Sequence, residues 1–509
     1  MEVGMNKIVK KEVESSCEYI LPDYMGDIKK ILYSRAKGMP GGKYVSGADA
    51  EHSGVVEYEV LYADAENRLT AVTASSDYSA TFSCADGELR DSFHKCKVAG
   101  ASVRTTGPRK LSFKSVVEVS SAMLTEGDGE ENLCEGIDGE QLEKSTTRIK
   151  SEVYEHIATA EREIAEEIGR INGVGRDDVE IVLTDCDVRI SDIRASERGI
   201  AVKGEVIAEM IRRVEDTPPY STKKSYPFEH TVERGELPAD IKLTANGIAS
   251  SVTVGVCEEG EDSVISVNAI VEINVYGAYN AEKTVVTDAY STDHETENTY
   301  SDLDYTTLAD VINTEFYLDE RVKLAAIGLS SVRDILIAGA DVVKLECIPE
   351  RHSIKIGGEI QISGVACEIN GDNAIVYTPY KHVLPFAYNV NNSSHISAND
   401  SVECELCAHL TDATIDADEI CFKITVCATV KSSFNGKIRY LSSLTACDEE
   451  FLHPSASRIT VYYPLPDQTL FDIAKKHHTT CEKLCIDNSI SIDAAVGSDI
   501  QLPRKLIIK

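Results

Sequence analysis

The feature that most constrains this chain is a pattern that returns three times. A glycine opens an alternating apolar run at Gly54 to Tyr62, again at Gly204 to Met210, and again at Gly358 to Val365. The spacing is about 150 residues, too long for a solenoid unit and right for whole domains. Three more landmarks keep the same order. An acidic-aliphatic stretch comes first, as Asp27 to Leu32, Asp178 to Leu183 and Val332 to Leu336. An aromatic follows the glycine run, at Phe82, at Tyr226-Pro227-Phe228 and at Leu384-Pro385-Phe386. A late alternating run closes each unit, over 111–119, 265–273 and 422–430.

Period-two alternation rich in Val, Ile, Thr and Tyr is the signature of strands with one face in a core and one in water. In Ile265 to Ile273 every odd position is apolar. The expected fold is therefore mainly β: tandem antiparallel β-sandwich or barrel-like repeats, over 17–125, 146–287 and 307–447. Between them, 126–145 reads as an acidic linker, since Glu126 to Glu143 carries no base, and 288–306 reads as a second. A third polar stretch, 448–457, leads to a C-terminal module over 458–505. One helix is expected over 146–171, where Ile149, Val153, Ile157, Ala160, Ile164, Ile168 and Ile171 step by three and four and Gly173-Val174-Gly175 follows as a stop.

The C-terminal module reads as β-α-α-β. Arg458 to Tyr463 alternates as a strand, Leu470, Ile473 and Ala474 form a helix stripe, Thr479-Thr480-Cys481-Glu482 reads as a capping box, and Gly497 to Pro503 returns as a strand. This pattern resembles the LysM domain at Thr469-Leu470, Ile473-Ala474, Thr479-Thr480, Glu482, Leu484, Asn488, Gly497, Ile500, Leu502 and Pro503. The resemblance implies a shallow groove between two loops, formed here by Pro464, Leu465, Pro466, Asp467, Gln468 and Thr469 on one side and by Asn488, Ser489, Ile490, Ser491 and Ile492 on the other. In many relatives that groove takes N-acetylglucosamine chains. Here Asp467-Gln468 replaces the usual Gly-Asp, Phe471 the usual Trp, and Val496 the usual Pro. A Cβ obstructs a ligand where glycine allows close approach, so the departures point away from glycan.

Tyr19 to Leu32, with Leu21-Pro22-Asp23-Tyr24 and Asp27-Ile28 inside it, is similar to the opening of SPOCS domains of spore-coat proteins, with Gly26 where Pro is usual. The joint resemblance implies a non-enzymatic coat-morphogenesis adaptor in the mother-cell cytoplasm, at the forespore surface. Its implied partner is the coat ATPase of sporulation stage four, bound through the LysM-like module. A peptidoglycan-binding protein is the alternative, and a structural coat subunit that binds other coat proteins or itself through exposed sheet edges is a third reading.

Other features narrow the function classes. A formal net charge of −34 repels nucleic acid and anionic lipid. The first residues lack an apolar signal core, and no run is long enough to span a membrane. Fifteen cysteines without a repeating spacing point to free thiols. Cys404 and Cys407 are three apart on an alternating run, so they face opposite ways and make a poor metal pair. His477-His478 reads as a solvated pair at a helix end. No phosphate loop, nucleophile elbow or dinucleotide fingerprint occurs, and no cofactor, metal ligand or catalytic residue is expected.

Overall fold

A computed structural model describes residues 3–84, 87–126, 134–135, 142–196, 199–215, 217–371, 374–392, 400–450, 459–465, 468–490 and 502–509. Strand accounts for 79% of the structure and helix for 5%, so the mainly β expectation holds. The first repeat comprises β1 (Val3–Ile20), β2 (Ile28–Ser46), β3 (Asp49–Asp64), β4 (Leu69–Ser83), β5 (Leu89–Gly107) and β6 (Lys110–Glu126). A two-residue strand, β7 (Cys134–Glu135), follows. The second repeat comprises β8 (Leu142–Ile171), β9 (Val179–Ser196), β10 (Gly199–Val214), β11 (Tyr220–Val232), β12 (Lys242–Glu259) and β13 (Asp262–Ser291). The third comprises β14 (His294–Lys323), β15 (Val332–Pro349), β16 (Ser353–Ile369), β17 (Ile375–Asn391), β18 (Ser401–Asp416) and β19 (Glu419–Glu450).

Each repeat uses one topology. Its second, third and fourth strands make one antiparallel sheet, and its first, sixth and fifth make another, in that order. The sheets face each other over a shared core. In the first repeat, Val56, Tyr58, Val60 and Tyr62 of β3 meet Leu111, Phe113, Val117 and Val119 of β6. Alternate residues of each strand point inward, as the pattern requires.

The recurring glycines have a shared cause. Gly54, Gly204 and Gly358 sit opposite Tyr78, Phe228 and Phe386 on the next strand. Each ring lies across its glycine, so a Cβ on Gly54 would collide with Tyr78, and one on Gly204 would stand 2.8 Å from Phe228. Aromatic rings covering glycines across a sheet supply packing that glycine lacks. Tyr78, rather than Phe82, is thus the aromatic of the first repeat.

The acidic-aliphatic landmark has its own role. In each repeat this strand carries a bulge at the same place: Leu32, Val182 and Leu336 are the unpaired extra residues. A bulge re-aims a side chain. Here the three bulged residues join Leu61, Ile211 and Val365 in one apolar cluster where all three repeats meet. Ion pairs seal the same junction. Arg35 and Lys37 of β2 both hold Asp185 of β9, and His409 Nδ1 of β18 stands 2.7 Å from Asp187. Lys95 of β5 bonds Glu405 at 2.8 Å and lies 4.6 Å from the Tyr276 ring centre of β13.

Several expectations are corrected. Residues 146–171 form β8, not a helix. A step of four keeps residues on one face of a helix and also on one face of a strand. Ile149, Val153 and Ile157 satisfy both, and bulges beside Ile157 and Ile168 preserve the inward face. Residues 288–306 are not a linker: β13 and β14 run through them and turn at 292–293. In a ribbon wet on one side a polar composition is compatible with pairing. Of the 126–145 segment, Glu126 ends β6, Cys134–Glu135 pairs with β19, and 142–145 open β8. Residues 127–133 and 136–141 of that segment lie outside the described residues. The third polar stretch enters β19 as far as Glu450, and 451–457 lie outside as well. The repeats accordingly start and end outside the expected boundaries. The free-thiol expectation fails at Cys347 and Cys404, which form a disulfide between β15 and β18 across the third sandwich.

The strands of the second and third repeats run on past their sandwiches. β8 with β13, and β14 with β19, form two ribbons that pack together through Val286, Ala289, Leu441 and Leu444. From Val275, the last β13 residue in the second core, to Tyr290 is fifteen residues, or about 50 Å of strand at ~3.4 Å each. This stalk carries the C-terminal module near its tip.

Candidate functional site

The module consists of β20 (Thr460–Tyr462), α1 (Leu470–Lys476), α2 (Cys481–Asn488) and β21 (Leu506–Ile508), with β20 and β21 antiparallel. The return strand lies beyond Pro503, and 497–501 fall outside the described residues. The expected stripe residues Leu470, Ile473 and Ala474 are buried together with Leu484, Cys485, Leu506 and Ile508. Both helices start on threonines whose side chains accept an orphan amide. The reciprocal capping box stands at α1, where Thr469 and Asp472 satisfy each other's backbone N–H. At α2, Thr480 caps the Lys483 amide at 3.1 Å, so Glu482 is not the third helical residue that a box needs.

The two expected loops anchor on the same ribbon. After β20, the Gln468 side-chain oxygen accepts bonds from the Tyr462 hydroxyl at 2.9 Å and the Leu465 amide at 3.1 Å. This fixes the turn and leaves Leu465 63% exposed. Pro464 is half-buried, Thr469 is committed to its cap, and Pro466 and Asp467 lie outside the described residues. After α2, Asn488 donates to the Leu484 and Ile507 carbonyls and accepts from the Ile507 amide at 2.6 Å. Ser489 caps the helix in the left-handed region, and Ile490 packs against the small core. Ser491 and Ile492 lie outside the described residues. Tyr462 and Ile507 sit one register step apart on β20 and β21, so both loops spring from one end of the ribbon. Gln468 and Asn488 are spent on shaping these loops and the exposed Thr469 on its cap; Leu465 and Ser489 are the other exposed loop members among the described residues.

The module is docked, which the sequence did not reveal. Tyr290 of β13 enters the small core, donates its hydroxyl to the Thr479 carbonyl at 2.7 Å, and meets Phe471 edge-on at 5.2 Å. Lys475 pairs with Asp288 at 2.5 Å. Burial, then Glu143, pushes the Cys481 thiol up to about 12 beside this contact. Phe471, at the usual tryptophan position, is therefore turned to the stalk. His477 is no simple solvated residue: its ring lies edge-on to Tyr462 at 5.2 Å, and burial and then Lys476 lower its pKa.

Two other clusters gather titratable side chains. At the three-repeat junction, burial opposes ionisation of Asp187, yet His409 and then Arg35 outweigh it and hold its pKa below the ordinary range. Cys407, two residues from His409 on the same strand, is exposed, and the nearby Asp187 and Glu405 carboxylates oppose its ionisation, the opposite of an activated nucleophile. In the first core, His52 Nε2 lies 2.8 Å from both Ser92 Oγ and Ser121 Oγ, with the His94 ring 4.5 Å away. Burial lowers both histidines to about 4. His52, Ser92 and Ser121 have no solvent exposure, so this serine–histidine contact has no route to a substrate. Among the described residues no group of three His, Cys, Asp or Glu could hold a metal ion, and no helix is long and apolar enough to cross a membrane. Comparison of the chain with protein-family models, curated proteins and solved structures returned no match.

Proposed function

We propose that this chain is a non-enzymatic adaptor that grips a macromolecule with its C-terminal module and holds it away from an acidic, rigid body. The observation that carries the reading is the placement of the module near the tip of the stalk, with Leu465 and Ser489 exposed on adjacent loops. The LysM-like and SPOCS-like residues add the setting. The order of repeats and module resembles the spore-coat morphogenetic protein SipL, and the reading places the chain in the mother-cell cytoplasm at the forespore surface. The partner is then the coat ATPase of sporulation stage four. Protein is favoured over glycan as the partner because Asp467 carries a side chain where glycine would admit a sugar, and Phe471 faces Tyr290.

Co-purification with that ATPase, before and after deletion of residues 458–509, tests the reading. Loss of the ATPase on deletion, and on Leu465→Arg in the full chain, is expected. Retention by the truncated chain, or strong sedimentation with insoluble peptidoglycan, overturns it.

A further inference from the structure

We propose that Cys407 and Cys427 form a cross-strand dithiol site that closes to a second disulfide on meeting a small-molecule disulfide such as oxidised glutathione. The inference stands apart from the adaptor reading. Cys407 of β18 and Cys427 of β19 are direct register partners, in an antiparallel pair that runs without a shift from Ser401 to Leu410. Residues directly opposite share a face, and their Cα atoms lie about 4.5–5.5 Å apart. A disulfide needs a Cα separation of about 4.4–6.8 Å. The backbone thus already holds the two thiols within bonding range, and rotation of the side chains brings sulfur to sulfur.

The pair is separate from the existing bridge. Cys404, Leu406, Val426 and Ala428 turn into the third core, where Cys404 is bonded to Cys347. Cys407 and Cys427, one residue out of step with these, face the other way, toward β9 of the second repeat. There Glu315, opposite Cys427 on β14, accepts the Cys427 thiol at 3.6 Å and Arg189 at 2.7 Å. Both cysteines are free thiols; Cys407 is exposed and Cys427 is half-buried. Cys407 therefore meets the oxidant first. Its thiolate attacks one glutathione sulfur, the oxidant's S–S bond breaks, and one glutathione leaves as a thiol with the proton Cys407 gave up. Cys427 then attacks the Cys407 sulfur and releases the second glutathione as a thiol. Two protein thiols are oxidised and one small disulfide is reduced. The new bond stitches β18 to β19 beside the ion pairs that join the second and third repeats, and it takes the Cys427 thiol off Glu315.

Mapping the cysteines of the full-length chain after incubation with oxidised glutathione tests this. Neither thiol is activated, so geometry rather than reactivity selects the pair, and the incubation is run at mildly alkaline pH, where some thiolate is present. The folded chain is then alkylated and cut with trypsin, whose cleavage after Lys423 separates the two cysteines. Mass spectrometry is expected to find the fragments that hold Cys407 and Cys427 joined, and separate again after dithiothreitol. Cys407→Ser and Cys427→Ser should each abolish the link. Cys421→Ser, on the same strand as Cys427 but outside the pair, should leave it intact. A glutathione that stays on Cys407 while Cys427 remains a thiol overturns the proposal. So does a chain in which neither cysteine reacts, or a link that survives Cys407→Ser or Cys427→Ser.

Discussion

Acidification tests the packing of the first repeat at its most sensitive point. His52 and His94 stack in its core, and burial lowers each to about 4. In the unfolded chain each titrates near the ordinary value of ~6.5. The unfolded state therefore takes up protons that the folded state refuses. Stability from the neutral pair is present above the unfolded value and is lost as pH falls through it toward the folded one. Between about pH 7 and pH 5, linkage gives roughly 2 kcal/mol per histidine and 3–4 kcal/mol for the pair. The chain has 22 tyrosines and no tryptophan. Urea unfolding followed by tyrosine emission and circular dichroism is thus the assay, run on the wild type and on His52→Gln/His94→Phe. The wild type should lose more stability on acidification than the double variant, by about that margin. Equal losses would refute the reasoning and place the acid sensitivity elsewhere.

Other outcomes follow from single contacts. Glu59 is raised to about 7 by burial and then by Asp185. Its contribution is present below the unfolded value and lost as pH rises through the folded one, so Glu59→Gln should stabilise the chain at mildly alkaline pH in thermal melts. Gly204→Val forces a branched side chain against Phe228 and should cost about 1–3 kcal/mol or more in urea unfolding. Tyr290→Ala removes the ring and hydroxyl that hold the module, about 3 kcal/mol of local stability, and should appear as faster amide exchange in α1 and α2 with the sandwiches unchanged. Thiol titration of the unfolded, unreduced chain should find two fewer than the 15 cysteines, and a full count would dissolve the Cys347–Cys404 bond.

What was legible in the sequence is what a local period encodes. Val56 to Tyr62 and Ile265 to Ile273 announced their strands because alternation is a property of neighbours along the chain. The period of about 150 residues announced three like units before any contact was known. Residues 146–171 misled because steps of four satisfy both periods, and the β13 partners that decide between them, from Val286 opposite Thr146 to Ser263 opposite Ile171, are far away along the chain. The bulges at Leu32, Val182 and Leu336 were visible as a recurring motif, but their purpose needed the third dimension. At the candidate site, the inward residues Leu470, Ile473 and Leu484 and a helix start at Thr479-Thr480 were readable, whereas the Thr469 cap of α1 was not. The docking of Tyr290 and Asp288 was not, because nothing in either segment alone names the other.

The stalk has a mechanical consequence. The chain leaves the third sandwich along β19, whose last residues reach the tip where the module sits. A load applied to the module is directed along that strand, parallel to its partner β14. Ladder bonds lie across such a pull, so they resist by sliding together instead of parting one after another from an end. A tether built this way bears tension over its whole length, and it yields at the docking contact of Tyr290 before the sandwiches feel the strain.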